Sequence, residues 1–481
     1  MERSIIIDVG TMYTRAGIIE DDQLVNILLE NNFEKQIQGT IYQGSIANTV
    51  KGIKAAFLDI GQSKTAFLHY EDVPEHLKGK LQNNQRIMVQ VVKEGVGNKG
   101  PKVTGFVNIT GKFMVLLPFE KTIGISRKIV DEDERKRLKR LLIKHNPKKY
   151  GLIIRTGARE ATDSQLALEL EELIEKWETV ETKSIGAAKA TVLYEEPSLA
   201  MKVVREYAND QIKEIVINNE GQGQLINDFL LQNLKDLQDK LRVVSPLGNL
   251  YGAYNIDKEI EKALKKQVWL KSGANIVIEK TEAMNVIDVN SAKFTKTKEK
   301  DKMILKINLQ AAKESARQIR LRNLSGIIII DFIDMTDRNH QDQVVEALQL
   351  ELCKDKTKTQ VYPMTQLGLV QITRQRRYIS LQEQMMQHCN CCHSPYRYVA
   401  YDYLLVGVEK EVRELVRESI HRDIALIAEP DFIKHIKKSH VIQKMLESKY
   451  DIRLQLIVDS EKQKSEYDIK PLKDSIRVDI K

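Results

Sequence analysis

The sequence predicts a multidomain α/β protein that carries an inserted β-barrel, and three observations support this fold class. Helical and strand-like segments alternate over most of the 481 residues, as they do in proteins built on parallel or mixed sheets. About five short β-rich runs separated by turns fill residues 38–119, a pattern typical of an OB-fold barrel. Four consecutive isoleucines, Ile327–Ile330, indicate a strand buried on both faces.

The composition limits the class of protein. The 75 Lys and Arg residues exceed the 67 Asp and Glu residues, which leaves a formal net charge of +8 that is compatible with nucleic-acid binding without proving it. The sequence has no apolar run of the roughly 18 residues that a membrane-spanning helix needs, and its start is too short and acidic for a signal peptide. Four cysteines in so long a chain favour a reducing compartment, so a cytoplasmic protein is expected.

The first 120 residues are expected to be mainly β-structure. Alternating apolar residues and a turn at Asp21 predict an N-terminal meander of three strands at Ser4–Asp8, Arg15–Glu20 and Leu24–Glu30. The barrel strands are predicted at Gly39–Ile46, Ala55–Asp59, Ala66–His69, Arg86–Lys93 and Val103–Ile109, the last running on toward Val115–Leu117.

Helices and strands are expected to alternate after the barrel. A basic helix is predicted over 131–145 and a strand over 150–155, and Thr162 with Gln165 fits a capping box that opens a helix to about Val180. Further elements are expected at Ser198–Asn209, Glu214–Asn218, Gly223–Asp239 and Lys258–Gln267. After Cys392 the pattern predicts a small α/β domain, with helices at 404–420 and 431–448 and strands at 425–428 and 453–458.

Two aspartates in β-rich runs form the candidate catalytic centre. Asp288 lies in the run 286–291, and Asp331 ends the isoleucine run. A buried strand that stops at Asp carries a desolvation cost that a metal ion can offset, and Mg²⁺ needs few protein ligands. Asn290, two residues after Asp288, is expected to point to the same face. The alternative is that Asp331 caps a structural turn and Asp288 pairs with an arginine.

Aromatic and basic residues of the barrel suggest contacts with a nucleic acid. Phe57 and Phe67 are interleaved with lysines, and aromatic faces can stack on bases while lysines follow the phosphates; the alternative places both rings in the barrel core. Residues 95–100 match the G-x-G-x-x-G pattern, but a strand rather than a helix follows, which argues against a dinucleotide site. A barrel loop whose Lys99 and Lys102 meet phosphate is the favoured interpretation.

Basic residues elsewhere are further candidates for phosphate contacts. A predicted strand ends at Arg155 and Thr156, and arginine can grip a phosphate in a bidentate manner, although an arginine paired with a surface Glu is the alternative. Another strand runs into an arginine cluster that would lie beside the candidate catalytic centre and contact phosphate, made of Arg374, Arg376 and Arg377. Lys358, together with Lys356, could extend this groove, or the lysines could form a solvated basic face.

Cys389 and Cys392 have the C-x₂-C spacing of zinc ligands. Zinc requires four ligands, so a symmetric partner could supply two more thiolates. A redox pair is the alternative, but the strand-to-helix setting of such motifs is missing. Separately, Ile7–Thr11 resembles the first phosphate loop of actin-like ATPases, although no second glycine-rich loop and no adenosine motif accompany it. Asp8 capping a turn is the alternative there.

Three motifs resemble the ribonuclease E/G family: IDVNS (287–291), ARQIRLRNLSGIIIIDFIDM (316–335) and ITRQR (372–376). The resemblance covers nearly the whole chain and weakens after about residue 400. It implies a ribonuclease H-like domain in two parts (1–37 and, with 5′-end sensing, 121–210), an OB-fold RNA-binding domain (38–120), a catalytic nuclease core (211–385), a zinc-link (386–400) and a small C-terminal domain (401–481).

The resemblance also implies roles for individual residues. Asp288 and Asp331 would bind Mg²⁺, and Asn290 would orient the site. The pair Arg155 and Thr156, together with Arg127 of the motif Ile-Ser-Arg, would sense an RNA 5′-monophosphate. Cys389 and Cys392 would share a zinc ion between two subunits, and the additional Cys391 leaves open which pair of thiolates binds the ion.

The expected function is therefore that of a Mg²⁺-dependent, single-strand-specific endoribonuclease in RNA processing and decay. It would act on rRNA precursors and mRNA, favour 5′-monophosphorylated A/U-rich RNA, and leave 5′-phosphate and 3′-hydroxyl ends. A cytoplasmic homodimer or tetramer without a membrane anchor is expected. The chain resembles the shorter family members in that it shows no long Arg- and Pro-rich tail. Two rival classes are a non-catalytic RNA-binding protein, which would be expected to lose Asp288 or Asp331, and an actin-like ATPase.

Overall fold

The computed structural model describes residues 2–33, 36–95, 99–291, 300–376, 379–388, 398–418, 422–438 and 441–472. The strands are β1 (Arg3–Val9), β2 (Tyr13–Glu20), β3 (Gln23–Asn31), β4 (Ile41–Val50), β5 (Ala55–Asp59), β6 (Ala66–His69), β7 (Arg86–Lys93), β8 (Lys102–Thr104), β9 (Ile109–Thr110), β10 (Met114–Leu117), β11 (Ile123–Ile125), β12 (Gly151–Ile154), β13 (Thr191–Tyr194), β14 (Ile212–Ile217), β15 (Leu241–Val243), β16 (Gln267–Trp269), β17 (Asn275–Lys280), β18 (Met284–Asn290), β19 (Gly326–Asp331), β20 (Thr359–Val361), β21 (Leu369–Arg374), β22 (Met386–Gln387), β23 (Tyr398–Val399), β24 (Asp423–Ala428), β25 (Arg453–Val458) and β26 (Tyr467–Pro471).

The α-helices are α1 (Glu132–His145), α2 (Asp163–Ser184), α3 (Leu199–Tyr207), α4 (Glu220–Asn233), α5 (Leu250–Ala253), α6 (Ile256–Leu264), α7 (Lys300–Leu321), α8 (Arg338–Cys353), α9 (Leu381–Met385), α10 (Tyr401–Glu418), α11 (Pro430–Lys438) and α12 (Val441–Tyr450). The chain divides into two compact units. The first unit comprises residues 1–33, 209–224 and 239–481, and the second comprises 34–208 and 225–238. Within the described residues, no helix is both long enough and apolar enough to cross a membrane.

The first unit begins with a mixed five-stranded sheet of order β15-β14-β1-β2-β3. Strands β1, β2 and β3 form the predicted antiparallel meander, whereas β14 pairs in parallel with both β1 and β15. Ile5, Ile6 and Ile7 of β1 are fully buried, which places this strand at the centre of the sheet. Apolar residues on both faces of one strand favour such a central position.

A second sheet of the first unit has the order β16-β17-β18-β19-β21-β20. Its apolar side packs on helices α7 and α8 in one continuous cluster that includes Ile287, Ile328 and Ile330. The expectation that the isoleucine strand is buried on both faces is wrong, because Ile327 is 48% exposed. Among the described residues, helices cover one side of β19 only, so the residues that alternate with Ile328 and Ile330 lie on an open face of the sheet.

The C-terminal part of the first unit forms a three-stranded sheet of order β25-β24-β26 with helices α10, α11 and α12. Its apolar residues do not form a core of their own. Leu405, Val412 and Phe432 belong to one buried cluster with Met12 and Tyr13 from the N-terminal meander. The two ends of the described chain are therefore joined by a common core.

The second unit contains a closed five-stranded barrel, in which the order β4-β5-β6-β8-β7 is completed by pairing of β7 with β4. Ile46, Leu58, Leu68 and Val103 fill its interior. The last predicted barrel strand was expected to run on toward Leu117, but β8 ends at Thr104. Strand β10 instead joins a separate sheet, β11-β12-β10-β9, that packs against α1 and α2.

The predicted capping box at the start of α2 is present. The hydroxyl of Thr162 accepts a hydrogen bond from the backbone N–H of Gln165, and the side chain of Gln165 accepts one from the N–H of Thr162. The helix then buries Leu166, Leu170 and Trp177 against the four-stranded sheet. The apolar spacing that predicted this helix therefore corresponds to its packed face.

Candidate active site

The two candidate catalytic aspartates are direct neighbours across two parallel strands. The register of β18 and β19 places Asp288 opposite Asp331. Adjacent strands are about 4.8 Å apart, so both carboxylates can reach one ion. Both side chains are exposed, and they lie on the open face of the sheet. The amide of Asn290 donates a hydrogen bond of 2.7 Å to Oδ2 of Asp288, which fixes the orientation of that carboxylate.

The electrostatics of the pair favour a bound cation. Partial burial and the neighbouring carboxylates of Asp288 and Asp334 raise the pKa of Asp331 above its usual value. In the described part of the chain, no Lys or Arg forms an ion pair with Asp288 or Asp331, so an arginine partner for Asp288 is not found there. A divalent cation would relieve the repulsion between these like charges.

The ligand set at this site is small. Within the described ranges, no group of three or more His, Cys, Asp or Glu residues is arranged as a complete metal cage. Mg²⁺ is commonly held by one or two carboxylates and keeps several waters, so two aspartates with one orienting amide fit this ion.

A residue that the sequence analysis missed supports the segment after Asp331. The fully buried side chain of Asn308 in α7 binds both backbone groups of Ile333. Its Nδ2 donates to the carbonyl of Ile333 at 2.7 Å, and its Oδ1 accepts from the N–H of Ile333 at 3.2 Å. An amide on the apolar face of a helix was the available signal, because buried polar groups require hydrogen-bond partners.

The predicted contact between Arg374 and phosphate is wrong. Arg374 is only 3% exposed, and its Nε lies 2.7 Å from Oδ2 of Asp355. Its Nη1 donates to the side chain of Asn323 and to the carbonyl of Leu324. It also pairs with Gly326, at the opposite end of β19 from Asp331. Arg374 therefore stabilises the sheet instead of facing the catalytic centre.

The neighbouring basic residues have mixed environments. Arg376 forms an ion pair of 3.1 Å with Glu383, but its side chain remains 57% exposed. Lys358 and Lys356 are exposed. Arg377 lies outside the described residues. Of this arginine cluster, only Arg376 is described with an exposed side chain, and with Lys358 it remains a candidate for RNA contact.

The candidate 5′-phosphate residues meet at one edge of the four-stranded sheet. Strands β11 and β12 are parallel, with Ile125 opposite Ile154, so Ser126-Arg127 and Arg155-Thr156 leave the sheet side by side. The hydroxyls of Ser126 and Thr156 are 3.0 Å apart. Arg127 is exposed, and in the described part of the chain it has no ion-pair partner. The two parallel strands thus bring together motifs that are separated by nearly thirty positions in the sequence.

The two barrel phenylalanines lie outside the barrel core. Phe57 and Phe67 are cross-strand neighbours whose rings form an edge-to-face pair with centroids 5.8 Å apart. Both are half-buried, while Ala56, Leu58 and Leu68 on the opposite face of their strands are fully buried. Lys102 lies beside Phe67 in the register of β6 and β8.

The barrel lysines differ in their surroundings. The ammonium group of Lys102 is 3.0 Å from a carboxylate oxygen of Asp72, yet 47% of its side chain is exposed. Lys99 is exposed and follows residues 96–98, which are outside the described part. The aromatic pair and Lys102 therefore form one continuous surface on the outside of the barrel.

The N-terminal loop that resembles an ATPase phosphate loop already holds a carboxylate of the same chain. The N–H of Thr11 donates to both oxygens of Glu409 at 2.8 Å, and its hydroxyl donates at 2.7 Å. Asp8 does not cap a turn. Its carboxylate is held by Arg15 at 2.6 Å, by Arg413 at 2.8 Å and by the amide of Asn218. The donors that an ATPase would present to a phosphate are thus occupied.

The zinc prediction concerns Cys389, Cys391 and Cys392, which lie outside the described residues. Cys353 is described, and it is an exposed free cysteine at the end of α8.

Comparisons with known proteins identify the family of the chain. Residues 108–377 match the model of the Ribonuclease E/G family. The chain is 32% identical to ribonuclease G of Salmonella typhimurium (strain SL1344) over 409 residues, which cover 82% of this chain and 84% of that protein. It is 33% identical to ribonuclease G of Haemophilus influenzae over 85% of this chain and 86% of the relative. Against ribonuclease E of Nostoc sp. (strain PCC 7120), the identity is 34% over 82% of this chain and 58% of the relative. With more than half of its length matched by the family model and with these relatives, the chain belongs to the ribonuclease E/G family.

Proposed function

We propose that this protein is a Mg²⁺-dependent, single-strand-specific endoribonuclease that leaves 5′-phosphate and 3′-hydroxyl ends and favours 5′-monophosphorylated, A/U-rich RNA. The observation that carries the proposal is the side-by-side placement of Asp288 and Asp331 on the open face of a helix-backed sheet. The ribonuclease names of its relatives support the reaction class.

Asp288 and Asp331 would hold the Mg²⁺ ion through their carboxylates. When bound, this ion supplies a more acidic water and neutralises charge on the phosphate oxygens. Asn290 engages one oxygen of Asp288 and leaves the other free to bind the ion. Asn308 fixes the backbone that follows Asp331, so the second carboxylate is presented from a restrained position. Burial and the charges of Asp288 and Asp334 raise the pKa of Asp331, which is a cost of keeping the site ready for a cation.

Contacts with RNA are proposed for three separate surfaces: the outside of the barrel, the basic residues near β21, and the edge formed by β11 and β12. The outward rings of Phe57 and Phe67 would stack on bases, with Lys102 and Lys99 near the phosphates. Lys358 and Arg376 would contact the backbone of the substrate.

The edge that holds Arg127, Arg155 and Thr156 would bind a 5′-monophosphate, because these residues follow the adjacent ends of the parallel strands β11 and β12 and offer two guanidinium groups and a hydroxyl. This supports a preference for 5′-monophosphorylated RNA.

Several features of the organisation are also proposals. The antiparallel meander of β1, β2 and β3 supports the first part of a ribonuclease H-like domain at 1–37, which would continue at 121–210 after an OB-type barrel inserted in the sequence. A zinc ion shared through Cys389 and Cys392 would join a homodimer or tetramer, and half a zinc ion per chain in a dimer would support it. The substrates would be rRNA precursors and mRNA, and the four cysteines favour a cytoplasmic location.

The first experiment compares cleavage of a short A/U-rich RNA that carries either a 5′-monophosphate or a 5′-hydroxyl, using the wild type and Asp331→Asn. We expect internal cleavage that requires Mg²⁺, is faster on the monophosphate, and falls by at least about a hundredfold in the variant. Glu279→Gln is the matched control, because Glu279 is another exposed carboxylate of the same sheet. It should cleave like the wild type.

Other outcomes would change the assignment. Tight RNA binding without cleavage would contradict the nuclease and favour a non-catalytic RNA-binding protein. Cleavage without a preference for the 5′-monophosphate would keep the nuclease and remove the sensing role of Arg155 and Thr156. ATP turnover that survives Asp331→Asn and does not need RNA would favour the ATPase class, although Glu409 already occupies the N-terminal loop.

A further inference from the structure

A buried carboxylate lies beneath the turn between β9 and β10. Glu169 in α2 is only 3% exposed. Its Oε1 accepts a hydrogen bond from the N–H of Lys112, and its Oε2 accepts from Phe113 at 2.8 Å and from Met114 at 3.0 Å. A Cβ on Gly111 would meet the carboxyl carbon of Glu169 at 2.7 Å, so the turn closes around this group.

The environment of Glu169 is costly for a charged group. Burial raises its pKa, and the backbone N–H groups of Phe113, Lys112 and Met114, together with Arg155, oppose that rise. A buried carboxylate is retained only when donors offset its desolvation. Three backbone donors supply that compensation here.

The same turn binds Arg155 through its carbonyl groups. Nη1 of Arg155 donates to the carbonyl of Gly111 at 2.9 Å and to that of Lys112 at 3.5 Å. The backbone N–H of Arg155 donates to the carbonyl of Phe113 at 2.8 Å. The guanidinium is thus attached to the turn, the Arg155 side chain is 28% exposed, and its Nη2 lies 3.9 Å from a carboxylate oxygen of Glu206.

Two peptide groups connect the carboxylate to the guanidinium. The carbonyl of Gly111 and the N–H of Lys112 belong to one peptide group, which binds Arg155 on one side and Glu169 on the other. The next peptide group repeats this arrangement, with the carbonyl of Lys112 and the N–H of Phe113. Each peptide dipole therefore points its negative end at the cation and its positive end at the anion. Hydrogen bonds in such a chain polarise and strengthen one another.

We propose that Glu169 is a positioning residue for the 5′-phosphate site: it holds the β9–β10 turn, and the turn holds the guanidinium of Arg155 in the orientation that receives the phosphate. This inference rests on the 5′-end sensing proposed for Arg155. It assigns to α2 a part in discriminating RNA 5′ ends, while its side chain does not touch the RNA.

The test measures the ratio of kcat/KM for 5′-monophosphorylated RNA to that for the 5′-hydroxyl form. In Glu169→Gln, an amide replaces one carboxylate oxygen, so at least one of the three backbone donors loses its partner. We expect the ratio to fall by roughly tenfold, the effect of losing one hydrogen bond to a charged group, with kcat/KM on 5′-hydroxyl RNA unchanged. The affinity for a non-cleavable 2′-O-methyl RNA with a 5′-monophosphate should fall by the same factor.

A double variant separates positioning from general destabilisation. If Glu169 acts through Arg155, Glu169→Gln combined with Arg155→Ala should lower the ratio no further than Arg155→Ala alone. Glu20→Gln is the control for loss of a buried carboxylate, because Glu20 is 6% exposed and pairs with Arg3 and Arg320. It should lower the melting temperature without changing the ratio.

The outcomes distinguish this inference from the function on which it rests. A wild type without preference for the 5′-monophosphate would overturn the sensing role itself. A wild type with this preference, which Arg155→Ala abolishes and a folded Glu169→Gln keeps, would overturn only the role of Glu169. If Glu169→Gln does not fold, Gly111→Ala provides the second test, because its methyl group would displace the carboxylate. An unchanged ratio in that variant would also overturn the inference.

Discussion

Asp331 works against the stability of the sheet that carries it. The pKa of its carboxyl is raised above the usual 3.8 by burial and by the charges of Asp288 and Asp334. A carboxyl whose pKa is raised in the folded protein makes folding less favourable as the pH rises through that pKa. At neutral pH without metal, the ionised group therefore destabilises the protein.

We predict that Asp331→Asn stabilises the metal-free protein while it abolishes cleavage. The gain should be on the order of 0.5 kcal/mol at pH 7, since the group is partly exposed, and it should vanish at acid pH where the carboxyl is neutral. Urea unfolding in EDTA at both pH values measures this difference. With excess Mg²⁺ the order should reverse, because only the wild type gains stability by binding the ion. A variant less stable than the wild type in EDTA would contradict the repulsion.

Phe57 and Phe67 provide a second prediction for single residues. Because both rings face outward, Phe57→Ala and Phe67→Ala should each weaken binding of a fluorescent single-stranded RNA by about 1–3 kcal/mol, with little loss of thermal stability. Tyr42→Ala is the contrasting control, because Tyr42 is 3% exposed within the barrel core and its loss should cost stability. Unchanged RNA affinity in both phenylalanine variants would leave the rings with a structural role only.

The residue patterns of the sequence predicted where the candidate site residues lie better than they predicted which side chains those residues contact. The run of isoleucines that stops at Asp331 was visible in the sequence, and the register confirms that Asp288 is its neighbour. Arg374 was assigned to phosphate because its partner Asp355 lies 19 positions away, and no local pattern indicates that pair. Burial of Glu169 had no signal either, because a Glu in a charged helix normally suggests a solvated position.

Helix α9 shows how a short element can depend on one carboxylate. Glu383 completes a capping box with Ser380 and also accepts from Lys280 at 2.6 Å. Partial burial opposes ionisation, but the hydrogen bonds from Lys280 and Ser380 lower the pKa of Glu383 to about 2. A lowered pKa in the folded protein contributes stability above the ordinary value of 4.5, and that contribution is lost as the pH falls toward 2.

We therefore predict that Glu383→Gln loses stability at pH 7 by about 1–3 kcal/mol and that the difference from the wild type shrinks below pH 4.5. Chemical unfolding across the range from pH 7 to pH 3 measures it. Glu351→Gln is the matched control, an i,i+3 surface pair with Lys354 that should change stability by less than about 0.5 kcal/mol. A constant difference at all pH values would contradict the assigned pKa.

At the scale of elements, periodicity indicated most strands but not the sheet to which each belongs. The apolar run at Met114–Leu117 is a strand as expected, yet it pairs with β12 instead of closing the barrel. Strand alternation reports that a segment is half-buried, whereas its neighbour is chosen by long-range packing. The same limit explains the isoleucine strand, because a run of apolar residues does not say how many faces are covered.

A buried charge network in the first unit joins the N-terminal strands to helix α10 in the C-terminal part of the chain. The side chains of Asp8, Arg15 and Arg413 are 4%, 5% and 6% exposed, and Arg413 also binds Glu409. The two arginines hold the pKa of Asp8 well below its usual range despite its burial. Removing a single member of such a network strongly destabilises the protein, because the remaining charges are left buried without a partner.

We predict that Asp8→Asn lowers the free energy of unfolding of the first unit by about 3–5 kcal/mol. Arg453→Ala, which removes an exposed ion pair with Asp423 in the same C-terminal part, should change it by less than about 1 kcal/mol. Thermal and urea unfolding compare the two variants. A loss for Asp8→Asn as small as that of the control would contradict a structural role for the network.

The pairing of Asp8 with Arg413 also constrains how the protein folds as it leaves the ribosome, because 405 residues separate these partners in the chain. At about 5–20 residues per second, the N-terminal strands wait roughly 20–80 s for the helix that carries Arg413, the second arginine partner of Asp8. The barrel and its neighbouring sheet belong to the unit that ends at residue 238, so all of their residues are synthesised long before Arg413. The apolar residues of the N-terminal meander therefore lack their C-terminal packing partners for most of the synthesis, and transiently exposed apolar surface of this kind makes a nascent chain prone to aggregation.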